Sequence, residues 1–192
     1  MRLLFFAGST REGSYNKRLA RLAQHTAQAN GVEGVFVDLR DYAMPLYSGD
    51  LEAEQGPPVA AREFKALLGE YQGIFVASPE YNSSITPLLK NTLDWVTRVR
   101  GKGESGLEVY KSRVFAISGA SPGYYGAMRS LLHLRQILEV GIGATVIPQQ
   151  MALPRAGDAF ADDGSLKDKA QQGLIKDVVE ALAIAARKFV SP

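Results

Sequence analysis

Residues 73–96 read GIFVASPEYNSSITPLLKNTLDWV, in which a short apolar run, a polar turn and a helix with apolar periodicity follow one another. The apolar run, residues 73–77, predicts a buried strand. The helix is expected to begin at Ser84 or Thr86, because either side chain can cap it and Pro87 suits a first turn. Open α/β sheets bind ligands at the carboxyl ends of their strands. This unit therefore predicts an α/β fold with a ligand site in the polar turn.

Strand and helix patterns alternate along the rest of the chain. The predicted strands are residues 3–7, 34–39, 73–77, 114–118 and 144–148, and the predicted helices are residues 16–29, 59–68, 87–99, 127–140 and 166–190. Loops are predicted at residues 40–58, 100–110 and 151–164. This alternation predicts a three-layer α/β/α sandwich, and five strands with five helices favour a flavodoxin-like parallel sheet of order 2-1-3-4-5 over a six-stranded dinucleotide fold.

The composition bounds the class of protein. At 192 residues, with 46% hydrophobic and 22% charged residues, the chain fits one domain, residues 1–192, with a sizeable core. The net charge is only +2, and neither a block of basic residues nor a long apolar run points to nucleic acid or a membrane. Cysteine is absent, which excludes disulfides, thiolate catalysis and Cys-ligated metals and fits a cytoplasmic protein.

A second polar turn, GSTREGSYN at residues 8–16, follows the first predicted strand. Backbone N–H groups and the helix dipole favour an anion there, and Ser9, Arg11, Ser14 and Asn16 can donate hydrogen bonds to it. The second glycine is followed by Ser-Tyr rather than by Lys and Ser/Thr, and the glycine spacing is not that of a dinucleotide fingerprint. A monophosphate is therefore the predicted ligand group.

Both polar turns also have a purely structural explanation, because capped helix starts commonly follow strands. The predicted strand order favours a ligand instead. It places the first and third strands side by side at the topological switch point, so that the two turns meet where such sheets bind their ligands.

The motifs of the chain resemble those of the NADPH-dependent FMN reductases of flavodoxin-like fold, which include quinone, chromate and azo-dye reductases. The resemblance covers nearly the whole chain, through GSTR 8–11, GSYN 13–16, PLY 45–47, DL 50–51, SPEYN 78–82, LKN 89–91, DW 94–95 and LRQ 134–136. It implies that the FMN phosphate is held by Ser9, Arg11, Ser14, Tyr15 and Asn16. It implies that the flavin ring is contacted, largely through backbone groups, by Pro79, Glu80, Tyr81, Asn82 and Ser83. The other edge of the ring would be bordered by Ser118 and Gly119.

The resemblance also implies an activity. The protein would oxidise NADPH or NADH and pass the electrons through FMN to a quinone, an azo compound, chromate or free flavin, as a homodimer or homotetramer. No catalytic side chain or metal is expected, because hydride transfer at FMN needs orientation more than a general acid. The alternative is a flavodoxin-type electron carrier without its own NAD(P)H oxidation, although such carriers are typically strongly acidic.

Several residues invite a further interpretation. Tyr124 and Tyr125 stand where small residues are common in the family, and they either line the nicotinamide or acceptor pocket or pack at a subunit interface, where tyrosine is enriched. Trp95 occupies a core or interface position, and we expect it to support subunit association. His25 and His133 have no partner at metal-binding spacing and are expected to be solvated or packed.

Overall fold

The computed structural model describes residues 1–189, and a five-stranded parallel sheet forms its centre. The strand order is β2-β1-β3-β4-β5, so the predicted order is confirmed. The strands are β1 (Arg2–Ala7), β2 (Glu33–Phe36), β3 (Gly73–Ala77), β4 (Val114–Ala120) and β5 (Thr145–Leu153).

Eight α-helices are found among the described residues. They are α1 (Tyr15–Ala29), α2 (Gly49–Gln55), α3 (Val59–Gly69), α4 (Pro87–Arg98), α5 (Glu108–Lys111), α6 (Met128–Gln136), α7 (Ala156–Ala159) and α8 (Lys169–Arg187). A 3-10 turn at Leu39–Tyr42 follows β2, and a π-helical segment at Ile137–Ile142 follows α6. The apolar faces of α1 and α8 cover one side of the sheet, whereas those of α3, α4 and α6 cover the other.

The alternation of side chains along β1 shows how the two cores form. Leu3 and Phe5 point into the core beneath α1 and α8, while Leu4 and Phe6 point into the core beneath α3, α4 and α6. A parallel strand covered by helices on both faces must be apolar at every position, which is why the strands appear in the sequence as continuous apolar runs. The predicted three-layer α/β/α sandwich is confirmed.

Two predicted boundaries are wrong at the end of the sheet. The strand β5 continues to Leu153 and takes up the start of the predicted loop at 151–164, because Met151 and Leu153 are buried and pair with β4. The last helix begins at Lys169 with Asp168 as its cap, not at Leu166. Its predicted end at residue 190 lies outside the described residues.

The predicted loops contain short helices that the sequence pattern does not reveal. The segment 40–58 holds α2, whose N-cap is Ser48, and the segment 100–110 leads into α5. No side chain of α2 is buried, so it lacks the apolar periodicity that predicts a helix.

Candidate cofactor-binding site

A cleft opens at the carboxyl ends of β1, β3 and β4, and the two polar turns meet there. Its innermost part is a cavity of about 110 Å³. The residues that line it are Ser9, Arg11, Ser14, Tyr15, Asn16, Pro79, Glu80, Tyr81, Ala120, Ser121 and Pro122. The structure thus brings the first turn together with the start of the second turn.

The first turn ends in a capped helix. Ser14 is the N-cap of α1, and its hydroxyl oxygen accepts a hydrogen bond from the backbone N–H of Lys17 at 3.4 Å. The hydroxyl hydrogen of Ser14 remains available for a ligand in the cavity. The first N–H groups of a helix have no intrahelical acceptor, and α1 offers them to an anion together with its positive dipole end.

Arg11 supplies the cationic group of the cleft. It is exposed, and its guanidinium carbon lies 5.6 Å from the centre of the Tyr15 ring. Among residues 1–189, no carboxylate lies within ion-pairing distance of Arg11. A free guanidinium beside a helix N-terminus can form a charge-assisted bond to a phosphate.

Asn16 connects the first turn to β4. Its Nδ2 donates to the carbonyl of Ala120 at 2.8 Å, and its Oδ1 accepts from the N–H of Ala120 at 2.9 Å. These two bonds use its oxygen and one of its amide hydrogens, so only the second amide hydrogen is left for a ligand. Asn16 therefore fixes the distance between α1 and the end of β4 in addition to lining the cavity.

The second turn contains a type I′ turn. Tyr81 and Ser84 exchange two backbone hydrogen bonds of 2.9 and 3.0 Å, and the residues between them, Asn82 and Ser83, have φ angles of 49° and 68°. Both central residues of a type I′ turn require positive φ, which costs a non-glycine residue energy. Asn82 and Ser83 lie at the tip of this turn, beyond the residues that line the cavity.

Glu80 holds the second turn against α6. Its carboxylate accepts hydrogen bonds from the backbone N–H groups of Arg129 and Ser130 at 3.1 and 3.2 Å and from Nε of Arg129 at 2.7 Å. The Arg129 guanidinium in turn lies 4.7 Å from the centre of the Tyr125 ring. Its side chain is only 7% exposed and is bonded to both Arg129 and Ser130, so Glu80 positions the second turn on α6.

Ser118 and Gly119 are buried and are not among the residues that line the cavity. The prediction ended the fourth strand at residue 118, but β4 continues to Ala120, and both residues are buried within it. A Cβ atom on Gly119 would lie 2.7 Å from the carbonyl oxygen of Ser78 and 2.8 Å from the Cβ of Ala127. The residues that border this side of the cleft are instead Ala120, Ser121 and Pro122.

Of the two positions predicted for Trp95, core or interface, the structure shows the core. Its side chain is completely buried within the chain, where Nε1 donates to the carbonyl of Pro45 at 2.7 Å and the ring meets Tyr47 edge-on at 4.9 Å. Trp95 thus anchors the segment that precedes α2 onto α4. By contrast, Tyr124 and Tyr125 are 78% and 58% exposed, and their ring centres lie 5.6 Å apart. They follow Pro122, which lines the cavity, but they do not line it themselves.

The two histidines differ in their surroundings. His133 lies at the surface of α6 with Nδ1 3.0 Å from the hydroxyl of Ser84, and His25 is exposed on α1. No group of three or more potential metal ligands occurs in the part of the chain that the structure describes.

The sequence analysis missed the ion pair of Lys17 and Asp38 and a second contact made by Thr86. The Thr86 hydroxyl connects the two turns, because it donates to the carbonyl of Gly8 at 2.7 Å while it caps α4. Lys17 and Asp38 form an ion pair of 2.6 Å behind the first turn. Of the two predicted caps of α4, Ser84 and Thr86, the structure shows Thr86, and Pro87 is the first residue of the helix. The sequence contained one signal for the ion pair, namely that Lys17 falls on the face of α1 that is otherwise apolar and buried.

The residues of the cleft fit FMN. An unpaired guanidinium, a capped helix start and free hydroxyl hydrogens suit a phosphate, and a rigid backbone turn with an exposed tyrosine suits a flat polar ring. The residues that would hold the phosphate are Ser9, Arg11, Ser14, Tyr15 and Asn16, and those nearest the ring would be Pro79, Glu80, Tyr81 and the segment 120–122. Fold and cleft together define a flavodoxin-like protein with a site for a phosphorylated flat ligand.

Comparison with known proteins identifies the family. The sequence pattern described as NADPH-dependent FMN reductase matches residues 1–158, so the chain belongs to this family. Its members are oxidoreductases that use FMN with a nicotinamide nucleotide. The chain is 31% identical to an NAD(P)H-dependent FMN reductase of Pseudomonas aeruginosa over 98% of its own length and 97% of the relative.

Two further comparisons agree. The chain is 36% identical to an NAD(P)H:quinone oxidoreductase of Solanum tuberosum, over 95% of this chain and 91% of that protein. Its fold is similar to that of FerB, a flavoenzyme NAD(P)H:(acceptor) oxidoreductase from Paracoccus denitrificans, with a TM-score of 0.81, 26% identity and 98% of both chains covered. The resemblance inferred from the motifs is therefore confirmed.

Proposed function

We propose that this protein is an NAD(P)H-dependent quinone reductase that holds FMN in the cleft between the two polar turns. The observation that carries the proposal is the meeting of the unpaired Arg11 and the start of α1 with the rigid turn at 79–83 at the carboxyl edge of the sheet. A phosphate group and a flat ring are the two chemical features that such a cleft recognises together.

The side chains of the cleft bind and orient. Arg11 and Ser14 hold the phosphate, Glu80 fixes the second turn on α6, and Asn16 fixes the third side of the cleft through Ala120. When bound, FMN supplies the hydride-accepting and electron-transferring chemistry. The protein needs no side chain that changes its protonation state, and Glu80 is already used by four donors from Arg129 and Ser130.

A quinone is the acceptor that this surface favours among those implied by the family resemblance. Tyr81 lines the cavity, Tyr124 and Tyr125 follow Pro122 at its edge, and all three are more than half exposed. Aromatic rings stack on flat conjugated molecules. The relative in Solanum tuberosum is named as a quinone oxidoreductase. An azo compound, chromate or free flavin remains an alternative, and contacts made by apolar and backbone groups discriminate weakly among small acceptors. These tyrosines therefore belong to an acceptor pocket in this proposal.

A flavodoxin-type electron carrier is the second candidate for the same cleft. The family membership and the reductase names of the relatives speak against it. The net charge of +2 also lacks the strong acidity typical of such carriers. A carrier would retain FMN but would not be reduced promptly by NADPH or NADH alone, so one experiment separates the two functions.

We also propose that two copies of the chain associate through the outer face of α6. Met128, Leu132 and Val140 lie on this face and its π-helical extension, and they are 40%, 59% and 82% exposed. Large apolar side chains arranged along one helix face indicate a contact surface, and a symmetric dimer is the commonest assembly that buries one. A tetramer formed by two such dimers remains an alternative.

The described residues contain no helix with the length and apolar character needed to cross a membrane. We propose a cytoplasmic location, which the complete lack of cysteine supports.

The experiment that tests the function uses the purified protein mixed with excess FMN and desalted. Its absorbance spectrum is recorded before and after anaerobic addition of NADPH, of NADH and then of 1,4-benzoquinone. Retained flavin that bleaches with a nicotinamide and returns with the quinone supports the reductase. Retained flavin that stays oxidised with both nucleotides supports the carrier, and no retained flavin contradicts both. The comparison of NADPH with NADH also determines the preferred donor, which the sequence leaves open.

A further inference from the structure

A buried lysine lies directly behind the first polar turn. Lys17 is 6% exposed, and its Nζ lies 2.6 Å from Oδ2 of Asp38 and donates to the carbonyl oxygen of Thr10 at 3.1 Å. A buried ammonium group is costly unless it is paired and hydrogen-bonded, and Lys17 has both an ion pair with Asp38 and a hydrogen bond to Thr10. Lys17 does not line the cavity, and it belongs to none of the motifs discussed above.

Asp38 is itself held firmly at the end of β2. Its Oδ1 accepts from the backbone N–H of Arg40 at 3.0 Å, and its Oδ2 accepts from Nε of Arg40 at 3.1 Å. Arg40 then reaches Oε1 of Glu12 at 3.6 Å. Lys17 and Asp38 therefore tie Thr10 to a fixed element, whereas the exposed contact of Arg40 with Glu12 adds little.

The bond from Lys17 orients a peptide group toward the cleft. A trans peptide is planar, so its N–H and C=O point in opposite directions. Lys17 holds the carbonyl of Thr10 from behind, and the N–H of Arg11 in the same peptide donates to the hydroxyl oxygen of Ser9 at 3.3 Å. Ser9 and Arg11 both line the cavity. The contact with Lys17 thus fixes the part of the turn that presents Ser9 and Arg11.

We propose that Lys17 is a positioning residue which, together with Asp38, preorganises the first turn for a phosphate and so makes the protein prefer FMN to riboflavin. The proposal rests on FMN being the ligand of the cleft. A turn that is already ordered loses little conformational entropy when the phosphate binds to it, so binding costs less free energy. Riboflavin has no phosphate to place in the turn and does not gain from this order. The charge of Lys17 is balanced by Asp38, so its influence on the ligand is geometric rather than a long-range attraction.

The test compares two buried lysines. Lys65 resembles Lys17 in burial and bonding, because its Nζ donates to the carbonyl of Val99 at 2.9 Å and lies 3.0 Å from Oε1 of Glu104. It does not line the cleft cavity. Lys17→Met and Lys65→Met are titrated with FMN and with riboflavin, and binding is followed by quenching of flavin fluorescence. We expect Lys17→Met to lower the preference for FMN over riboflavin about tenfold, on the scale of one charge-assisted bond, and Lys65→Met to leave that preference unchanged.

The result that overturns the proposal is equal weakening of both flavins in Lys17→Met, because a general loss of structure affects both. Wild-type affinity for both flavins in Lys17→Met overturns it as well. In either case a wild-type protein that still binds FMN and is reduced by a nicotinamide leaves the proposed function intact, whereas a wild-type protein that binds no FMN removes both. If Lys17→Met does not fold, Asp38→Asn carries the same test, because it removes the ionic anchor of Lys17 and changes no residue of the cavity.

Discussion

The hydroxyl of Thr86 donates a hydrogen bond of 2.7 Å to the carbonyl of Gly8, which joins the start of α4 to the first residue of the phosphate turn. The same hydroxyl accepts the N–H of Leu89 at 3.2 Å as the cap of α4. One buried side chain therefore sets the position of both ligand turns relative to each other, across the adjacent strands β1 and β3. The cleft depends on this contact even though Thr86 does not line it.

Replacing Thr86 by valine tests this connection. Thr86→Val keeps the shape of the side chain but removes the cap and leaves the carbonyl of Gly8 without its donor. We expect a loss of about 1–3 kcal/mol in the free energy of unfolding, measured by urea denaturation. Thr86→Ser keeps the hydroxyl and should lose much less. A Thr86→Val variant that is as stable as wild type would show that the two hydrogen bonds of this hydroxyl do not hold the turns together.

Replacing Arg11 tests the phosphate site. Arg11→Ala should weaken FMN binding by about 1.5–3 kcal/mol, because a hydrogen bond to a charged group is lost. Riboflavin, which has no phosphate, should bind equally well to both proteins. Arg21→Ala is the matched control, since Arg21 lies on α1 with its guanidinium carbon 4.0 Å from the ring centre of Phe36, and Arg21 does not line the cleft cavity. Unchanged FMN affinity in Arg11→Ala, measured by fluorescence quenching, would contradict the phosphate assignment.

The buried hydroxyl of Tyr110 predicts that its removal will not destabilise the protein. Its oxygen has no hydrogen-bond partner among the described residues, and burial raises its pKa far above the ordinary value. An unsatisfied buried hydroxyl costs about 1–3 kcal/mol, so Tyr110→Phe should leave stability unchanged or raise it. Tyr47→Phe provides the contrast, because the Tyr47 hydroxyl donates to Glu52 at 2.9 Å and its removal should destabilise the protein. A clear loss of stability in Tyr110→Phe would point to a bound partner for its hydroxyl.

The ion pair of Asp38 predicts how stability depends on pH. Desolvation opposes ionisation of Asp38, but hydrogen bonds from Lys17 and Arg40 outweigh it and hold the pKa of Asp38 below its ordinary value. A carboxyl group with a lowered pKa stabilises the fold above its unfolded pKa of about 3.9, and that contribution is lost as the pH falls through the folded pKa. Wild type should therefore lose more stability than Asp38→Asn between about pH 5 and pH 2. Parallel curves of unfolding free energy against pH would contradict this.

The sequence predicts the sheet order and two of the three sides of the cleft, because those features depend on local patterns. Apolar runs define the strands, and capped polar turns follow two of them. On the third side the cavity is lined from Ala120 onward, two residues beyond the predicted end of the fourth strand, because the end of β4 is decided by its pairing with Ala152 and Leu153 rather than by its own composition.

Long-range contacts account for the other differences. Asp38 lies 21 positions from Lys17, and Pro45 lies 50 positions from Trp95, so no local pattern reveals that either pair meets. Trp95 in particular has the same helical spacing whether it faces a partner subunit or a loop of its own chain. Only the fold distinguishes the two cases.

Because Trp95 is buried within its own chain, the exposed apolar face of α6 is the better place to test subunit association. Leu132→Asp places a charge at the centre of the apolar face between Met128 and Val140, and a buried unpaired charge is incompatible with a dimer contact. We expect light scattering at micromolar concentration to show the mass of a smaller assembly than wild type. Ile184→Asp is the control, because Ile184 is equally exposed, at 60%, but lies on α8 on the other side of the sheet. If Leu132→Asp keeps the wild-type mass while Ile184→Asp reduces it, the contact surface belongs to α8 instead.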